Sequence, residues 1–282
     1  MIAARFQARE GEKVRCLLCP HRCLLPHGAL GRCLARRNHR GTLMAESYGQ
    51  LTALALDPVE KKPLFHFHPG SLVLSAGSYG CNLSCAFCQN HSISREWTDT
   101  RFVSPQELAA LSGKAGNNIG VAFTYNEPLI APEYLLDCAD LLHEQNQKVV
   151  LVTNGMISPA PLEEVLPAVD ALNVDLKCFS QEGYRKLEGE LETVKHTIRR
   201  SVEVGCHLEV TCLIVPGLSD DPAQLEEMAA WLAGISPAIP FHVSRFFPRY
   251  QMADSPPTPV ETVYALADVA RAYLRHVHTG NC

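Results

Sequence analysis

Three cysteines stand close together in residues 78–90, at the spacing Cys-x3-Cys-x2-Cys. They are Cys81, Cys85 and Cys88. Three thiolates in one short loop can each bind one iron of a cubane cluster, which leaves the fourth iron open to a small molecule. A structural zinc site would need a fourth ligand, which His91 could supply from the adjoining residues. The spacing therefore predicts a metal site, with an iron–sulfur cluster and zinc as the two candidates.

A second group of cysteines lies within the first 33 residues. Four thiols match the stoichiometry of a structural zinc site, and His21 is available as a substitute ligand. An iron–sulfur cluster uses the same ligands, so the spacing does not decide between the two metals. Unligated, reduced thiols are the third alternative. The four residues are Cys16, Cys19, Cys23 and Cys33.

Composition places the chain among globular proteins. Its 282 residues are 46% hydrophobic and 20% charged, which is enough to bury a substantial core. No apolar run approaches about 20 residues, and the N-terminus carries charges where a signal peptide has its apolar region. We therefore expect a cytoplasmic protein without a membrane anchor, in which the twelve cysteines do not form a disulfide framework and the clustered ones indicate metal ligation. The net charge of -5 makes nucleic acid an unfavoured partner.

Short β-branched runs alternate with helical patterns from residue 71 onward. This alternation predicts parallel pairing with right-handed crossovers, and six strand–helix units are too few for an eight-fold barrel. We expect an α/β fold, either a partial (βα)6 barrel of the TIM type or a doubly wound sheet. The predicted strands cover residues 71–78, 119–125, 148–154, 171–177, 207–216 and 240–246. The predicted helices cover residues 104–114, 132–145, 159–169, 192–204, 222–234 and 258–276.

The pattern also predicts a division of the chain. Residues 1–45 are expected to form a small Cys-rich metal-binding appendage, residues 46–70 a connecting segment, and residues 71–282 the partial barrel. In the connecting segment, His66 and His68 alternate in a strand-like run, where structural or solvated histidines are the usual finding.

Polar side chains stand at the ends of several predicted strands. Because the carboxyl ends of parallel strands meet at one edge of a sheet, we expect these residues to face one pocket. Each has an ordinary alternative when taken singly: a solvated loop carboxylate for Glu127, a surface ion pair for Asp175 with Lys177, and a packed side chain for His242. The full set is Asn126, Glu127, Thr153, Asn154, Asp175, Lys177, Val215 and His242.

The three-cysteine loop, with Phe87 directly before the last cysteine, resembles the radical S-adenosylmethionine (radical SAM) superfamily. The resemblance implies that Cys81, Cys85 and Cys88 bind a [4Fe-4S] cluster, and that S-adenosylmethionine (SAM) chelates the open iron. It further implies reductive cleavage of SAM to methionine and a 5'-deoxyadenosyl radical, which abstracts hydrogen from a substrate. An electron donor such as flavodoxin or ferredoxin would then be a partner.

A narrower resemblance rests on residues 57–70, on the N-terminal cysteines and on the Cys88-Gln89-Asn90 ending of the loop. These segments are similar to the radical SAM enzyme of the AmmeMemoRadiSam system, which is related to the activating enzymes of pyruvate formate-lyase and other glycyl-radical enzymes. Members of that family tend to continue with a cysteine-bearing tail, whereas this sequence stops at Cys282.

The resemblance to activating enzymes also implies roles for the strand ends. Glu127-Pro128 matches the Gly-Gly-Glu-Pro motif that binds the ammonium of the cofactor, although Asn126 stands in place of a glycine. Three further strand ends are implied to contact the cofactor or to line its pocket, through Thr153, Asn154, Asp175, Lys177 and Val215. Phe87, from the cysteine motif, and His242, from the position of the sixth predicted strand, are expected at the same pocket.

The substrate is the least determined part of the interpretation. Similarity to activating enzymes suggests hydrogen abstraction from a glycine of a protein, but the same fold and cluster serve enzymes that modify RNA or small molecules. A non-enzymatic zinc protein, which uses its cysteines to present an interaction surface, is the alternative from another class. It predicts a colourless protein that does not turn over SAM.

Overall fold

Seven short strands occupy the first 51 residues of the computed structural model, which describes residues 1–96 and 98–282. They are β1 (Ile2–Ala3), β2 (Gln7–Glu10), β3 (Lys13–Cys16), β4 (Leu24–Leu25), β5 (Arg36–His39), β6 (Thr42–Ala45) and β7 (Gln50–Leu51). Strands β2, β3 and β4 form one antiparallel sheet, and β1, β6 and β5 form another. Neighbouring segments of the chain thus pair locally through tight turns.

The remaining strands build the central sheet, apart from a short strand that pairs with β7. They are β8 (Ala53–Pro58), β9 (Leu72–Gly77), the β7 partner β10 (Arg101–Phe102), β11 (Asn118–Thr124), β12 (Lys148–Thr153), β13 (Ala171–Asp175), β14 (His207–Ile214), β15 (Phe241–Arg245) and β16 (Val277–Gly280). The sheet order is β16-β15-β14-β13-β12-β11-β9-β8. Every neighbouring pair is parallel except β8 with β9, which is antiparallel.

Helices connect the parallel strands, as right-handed crossovers require. They are α1 (His91–Ser94), α2 (Pro105–Lys114), α3 (Pro132–Glu144), α4 (Pro159–Val165), α5 (Gln181–Lys186), α6 (Leu191–Glu203), α7 (Pro222–Ile235) and α8 (Val260–Arg271). Helix α2 starts at an N-cap, Ser104, whose hydroxyl accepts a hydrogen bond from the Glu107 N–H at 3.1 Å. Asp221 caps α7 in the same way. No helix in the described residues is long and apolar enough to cross a membrane.

The predicted α/β fold with a central parallel sheet is confirmed, and its arrangement is consistent with a partial barrel. Two strands of the central sheet lie outside the six predicted strands. Strand β16 follows the last predicted helix and gives no strand signal, because its four residues are half-exposed and lack an apolar run. Strand β8 lies in the predicted connecting segment and pairs with β9. The domain boundaries at residues 45 and 70 stay predictions, although apolar residues of the N-terminal sheets share one buried core with the central sheet.

Residues 59–67, here called the floor segment, lie at the end of the central sheet where its parallel strands begin. Val59 and Leu64 are buried against Val73, Ala122 and Val150 of three neighbouring strands. The Asn173 amide of β13 donates to the Pro63 carbonyl at 2.8 Å, which fixes the floor segment to the sheet. The edge at which the strands end is left free for a site.

Candidate active site

The three-cysteine loop follows β9 at the end where the parallel strands finish. Its Gly80 has φ +86°, and a Cβ at this position would lie 2.3 Å from the carbonyl oxygen of Cys33. Only glycine fits such a close approach. The Gly80 N–H donates to Ile93 O at 2.8 Å, and the Ser84 N–H donates to Leu187 O at 2.9 Å. Backbone contacts therefore hold the loop on both sides.

Asn126 holds the start of the same loop. Its side-chain oxygen accepts a hydrogen bond from the Ser78 N–H at 2.9 Å, and its amide donates to the carbonyls of Tyr79 and Gly80, both at 3.1 Å. The asparagine that replaces a glycine of the Gly-Gly-Glu-Pro pattern thus ties the end of β11 to the cysteine loop.

All three cysteines of the loop line one cavity of about 330 Å³. The Cys81 sulfur accepts a hydrogen bond from the Leu83 N–H at 3.4 Å, and the Asn154 amide lies 3.6 Å from it. Burial raises the pKa of Cys85 to about 11, while the nearby Lys177 ammonium opposes that rise. Donors and a cation directed at sulfur suit thiolates bound to metal. The donor set therefore fits a cluster held by three ligands with one open iron.

Glu127 is a buried carboxylate at the end of β11. One oxygen accepts hydrogen bonds from the Thr153 hydroxyl at 2.6 Å and from the Leu129 N–H at 2.9 Å, and the other accepts from the Asn154 N–H at 2.7 Å. Burial raises the pKa of Glu127 to about 7, although these hydrogen bonds oppose the rise. The residue joins two strand ends and lines the cavity.

Asp175 ends β13 and forms an ion pair with Lys177, which follows the strand, with Lys177 Nζ 2.8 Å from a carboxylate oxygen. Burial would lower the pKa of Lys177, but the charges of Asp175 and of the cysteine thiolates outweigh it and raise the pKa. Lys177 therefore stays cationic beside the cysteine loop. Both residues line the cavity, as the sequence predicted for this strand end.

Val215 and His242 do not line the cavity in the described structure, contrary to prediction. His242 is the second residue of β15, where its Nε2 lies 2.7 Å from a carboxylate oxygen of Glu209 near the floor segment. Side chains of a strand alternate with a period of two, so His242 and Ser244 lie on the same face of β15. Ser244, two residues nearer the end of the strand, takes the cavity position. Val215 lies past β14 and packs against Phe87, while Leu213 reaches the cavity instead.

A polar network in the cavity wall was missed by sequence reasoning. One carboxylate oxygen of Asp57 accepts hydrogen bonds from Lys62, Ser75 and Tyr125, each at 2.9 Å. Burial would raise the pKa of Asp57, but these donors hold it well below its usual range. Lys62 and Tyr125 line the cavity. Tyr125 has φ +72° and occupies the first glycine position of the Gly-Gly-Glu-Pro pattern, which was the available signal.

The N-terminal cysteines meet at a separate place. Cys16, Cys19, Cys23 and Cys33 line one enclosed cavity of about 20 Å³, together with His21. In residues 1–96 and 98–282, no three His, Cys, Asp or Glu side chains are arranged around one point as ligands of a single ion. The three cysteines of the active-site loop meet a different requirement, since each thiolate of a cubane binds its own iron.

The cavity lies at the end of a parallel sheet, with a three-thiol loop after the first parallel strand and polar strand ends around it. These features together define a class of cluster-binding protein. Residues 76–232 match the family model described as the Radical SAM superfamily, and this chain belongs to that superfamily. Membership implies a [4Fe-4S] cluster and SAM as cofactors, and radical SAM chemistry in general.

Relatives agree with this assignment. An uncharacterized protein of Methanocaldococcus jannaschii is 37% identical over 98% of this chain and 84% of its own length. The pyruvate formate-lyase-activating enzyme of Clostridium pasteurianum is 26% identical over 53% of this chain and 65% of that enzyme. The crystal structure of a radical SAM methyltransferase from Sphaerobacter thermophilus matches 76% of this chain and 67% of that chain, with a TM-score of 0.60 and 18% identity. This last likeness concerns the fold alone.

Proposed function

We propose that this chain is an enzyme of the activating-enzyme type, which cleaves SAM reductively and abstracts hydrogen from a substrate. The observation that supports it most is one cavity lined by the three cysteines of the loop and by polar residues from three further strand ends. When bound, the cluster and SAM supply a 5'-deoxyadenosyl radical, so the protein has to chelate, orient and exclude water.

In this proposal Cys81, Cys85 and Cys88 hold the cluster. Glu127 receives the ammonium of SAM, because it is a buried carboxylate whose partners within residues 1–96 and 98–282 are two backbone N–H groups and the Thr153 hydroxyl. The Lys177 ammonium, kept charged by its neighbours, receives the carboxylate of SAM.

Other residues of the cavity are proposed to orient or contact SAM. Asn154 orients the site, since its amide bonds both the Cys81 sulfur and the side-chain oxygen of Asn82. Asp175, Thr153 and Asn126 line the cavity beside it. Phe87 also lines the cavity and is buried next to the last cysteine of the loop.

The substrate proposal is a glycine of a protein. It is supported by relatives named as activating enzymes, one for pyruvate formate-lyase and one for indoleacetate decarboxylase. A flavodoxin or ferredoxin as electron donor, a cytoplasmic location and the narrower AmmeMemoRadiSam assignment stay predictions. Modification of RNA or of a small molecule is the competing substrate class, and the N-terminal metal, zinc or a second cluster, is treated separately below.

The test is anaerobic reconstitution of the full chain with iron and sulfide, reduction with dithionite, and measurement of 5'-deoxyadenosine formed from SAM. We expect Cys85→Ala to abolish the product. Cys206→Ala is the matched control, because the Cys206 thiol is directed at the Val169 carbonyl at 3.1 Å and takes no part in the cavity. A colourless, zinc-loaded wild type that forms no product would instead support the zinc-binding interaction protein.

The substrate class is testable without knowing the substrate. A fully deuterated extract of cells that carry the gene is separated into protein, RNA and small-molecule fractions, and each is incubated with the reduced enzyme. Deuterium in 5'-deoxyadenosine reveals which fraction donated the hydrogen. We expect transfer from the protein fraction, and transfer confined to another fraction would refute the activating-enzyme proposal while leaving SAM cleavage intact.

A further inference from the structure

Four thiols within residues 16–33 line one small cavity in the N-terminal part of the chain. Cys16 ends β3, Cys19 and Cys23 lie in the turn to β4, and Cys33 lies in the turn before β5. The Cys16 N–H donates to the Cys23 carbonyl at 2.9 Å, which closes the first turn. All four residues line the cavity that was described above. Three of the cysteines belong to the first turn and one to the second, and together they have the four-thiolate stoichiometry of a structural zinc site.

The backbone around these thiols presents hydrogen-bond donors to sulfur. The N–H groups of His21 and Ala35 are directed at the sulfurs of Cys19 and Cys33 respectively, two residues earlier in each case. The Leu83 N–H bears the same relation to Cys81 in the active-site loop, at 3.4 Å. The N-terminal turns thus repeat a feature of the loop that is assigned to a metal cluster.

A buried cation also faces the space. Arg36 is fully buried, lines the cavity and donates to the carbonyls of Ile130 at 3.0 Å and Arg5 at 2.9 Å. Its guanidinium is paired with the buried Glu133. Four thiolates around one divalent ion carry an excess negative charge, and a nearby guanidinium lowers the cost of burying it.

The size of the space favours a single ion over a cluster. Its volume of about 20 Å³ is close to that of one or two water-sized spheres, on the order of 10–15 Å³ each. A cubane of four irons and four sulfides does not fit that volume unless the surrounding turns move apart. Ligation of one ion requires only that the four side chains turn inward and release their thiol protons to solvent.

The thiol cavity lies directly behind the active-site loop. The Cys33 carbonyl oxygen approaches Gly80 so closely that no side chain would fit there, and Gly80 precedes the first cysteine of the loop. The His21 Nε2 lies 2.7 Å from the carbonyl oxygen of Asn82, which follows that cysteine. The Arg95 guanidinium completes the contact by donating to the carbonyls of Arg32 at 3.4 Å and Cys81 at 3.3 Å.

We propose that Cys16, Cys19, Cys23 and Cys33 bind one thiophilic divalent ion, zinc, and that this site holds the active-site loop in the position that retains its cluster. His21 is the positioning residue that transmits this restraint, through its hydrogen bond to the loop. The metal assignment is independent of the proposed function, whereas the effect on the loop rests on it.

The test measures metals in the full chain, purified and reconstituted under anaerobic conditions. Wild type is expected to contain one zinc and one four-iron cluster per chain. Cys33→Ser is expected to lose the zinc, while Cys206→Ser, which changes a thiol remote from both sites, keeps both metals. Removal of zinc from folded wild type with a chelator, followed by readdition, covers the case in which the serine variant does not fold.

The effect on the loop is measured as the rate at which the visible absorbance of the cluster bleaches in the presence of an iron chelator. Loss of an outer partner of a metal site typically costs about 10-fold to 100-fold in affinity. We therefore expect His21→Ala to retain zinc but to lose its cluster about 10-fold faster than wild type. His21→Gln, which can still donate to the Asn82 carbonyl, is expected to restore most of the retention.

Two results would overturn the metal assignment, and a third would overturn the role of His21. Eight irons and no zinc per chain would show a second cluster, and the absence of any metal at intact N-terminal thiols would show a site that does not bind one. Cluster loss at the wild-type rate in both His21→Ala and the zinc-depleted chain would refute the positioning role. Failure of the proposed function is distinguishable, because a chain that binds no cluster would keep its zinc, and a chain that takes hydrogen from RNA or a small molecule would keep both metals.

Discussion

Replacement of Glu209 by glutamine should destabilise the protein substantially at neutral pH. Glu209 is buried on β14, and its carboxylate receives four hydrogen bonds. Two come from the floor segment, the Phe65 N–H at 3.0 Å and the His66 N–H at 2.7 Å. The other two involve the rings of His207 at 3.0 Å and His242 at 2.7 Å. A glutamine presents an NH2 group to at least one of these donors.

The loss of stability is worked out from the pKa shift of Glu209 and, separately, from the hydrogen bonds that glutamine cannot accept. Burial would raise the pKa of Glu209, but the hydrogen bonds lower it from 4.5 to about 2, which corresponds to about 3 kcal/mol of stability in favour of the ionised form. Leaving one buried N–H without an acceptor costs about 1–3 kcal/mol, and the other bonds lose their charge assistance. Glu209→Gln should therefore cost about 3 kcal/mol, or roughly 6 °C in Tm for a chain of this size.

The assay is thermal or urea unfolding of the wild type and of Glu209→Gln at several pH values. Because the folded-state pKa of Glu209 is depressed, its contribution is complete above the unfolded value of 4.5 and is lost as pH falls through about 2. The difference between the two proteins should thus be constant from pH 7 to 5 and shrink at pH 3. Glu163→Gln is the control, because Glu163 forms a solvent-exposed pair with Arg200 and should matter far less. Equal stability at pH 7, or a difference that does not change with pH, would refute the reasoning.

Three further substitutions test other contacts. Gly77→Ala places a Cβ 2.6 Å from the Tyr125 ring, so calorimetry should show a loss of about 1–3 kcal/mol, and a neutral result would contradict that close approach. Arg36→Leu leaves Glu133 as a buried, unpaired charge, so urea unfolding should show a loss of about 3–5 kcal/mol that a second change of Glu133 to leucine largely reverses. Asn126→Gly removes three hydrogen bonds from the cysteine loop, at about 1 kcal/mol each, so iron should dissociate faster on chelation, and an unchanged rate would refute this anchoring role.

Much of the central sheet could be predicted because its strands are buried on both faces. Strand β12, for example, contains the uninterrupted apolar run Val-Val-Leu-Val, which is typical of a covered parallel sheet. Strand β16 has no such run, since its Val-His-Thr-Gly sequence is half-exposed at the sheet edge. Its pairing with β15 depends on tertiary contacts that periodicity does not encode.

The site residues also differ in whether their positions could be predicted from the sequence. Asp175 and Lys177 were predicted to face the pocket from their place at a strand end, and the structure puts them there because β13 stops at Asp175. His242 was misplaced, because it lies two residues before Ser244 on the same face of β15 and so contacts Glu209 near the floor segment, while Ser244 reaches the cavity. Asp57 and Lys62 could not be found from the ends of parallel strands, since Lys62 reaches the cavity from the floor segment and Asp57 binds Lys62 from an antiparallel strand.

The floor segment and the cavity lie at opposite ends of the inner face of the sheet, and the same strands connect them. On β14 the inward positions run from Glu209, which holds the floor segment, through Thr211 to Leu213 in the cavity. Lys62 makes a second link between the two ends. It belongs to the floor segment and lines the cavity, and its Nζ donates a hydrogen bond to Asp57. Its side chain is only 4% exposed, so it cannot move without the backbone that Glu209 fixes. The carboxylate at the floor is therefore expected to influence the shape of the cavity as well as the stability of the chain.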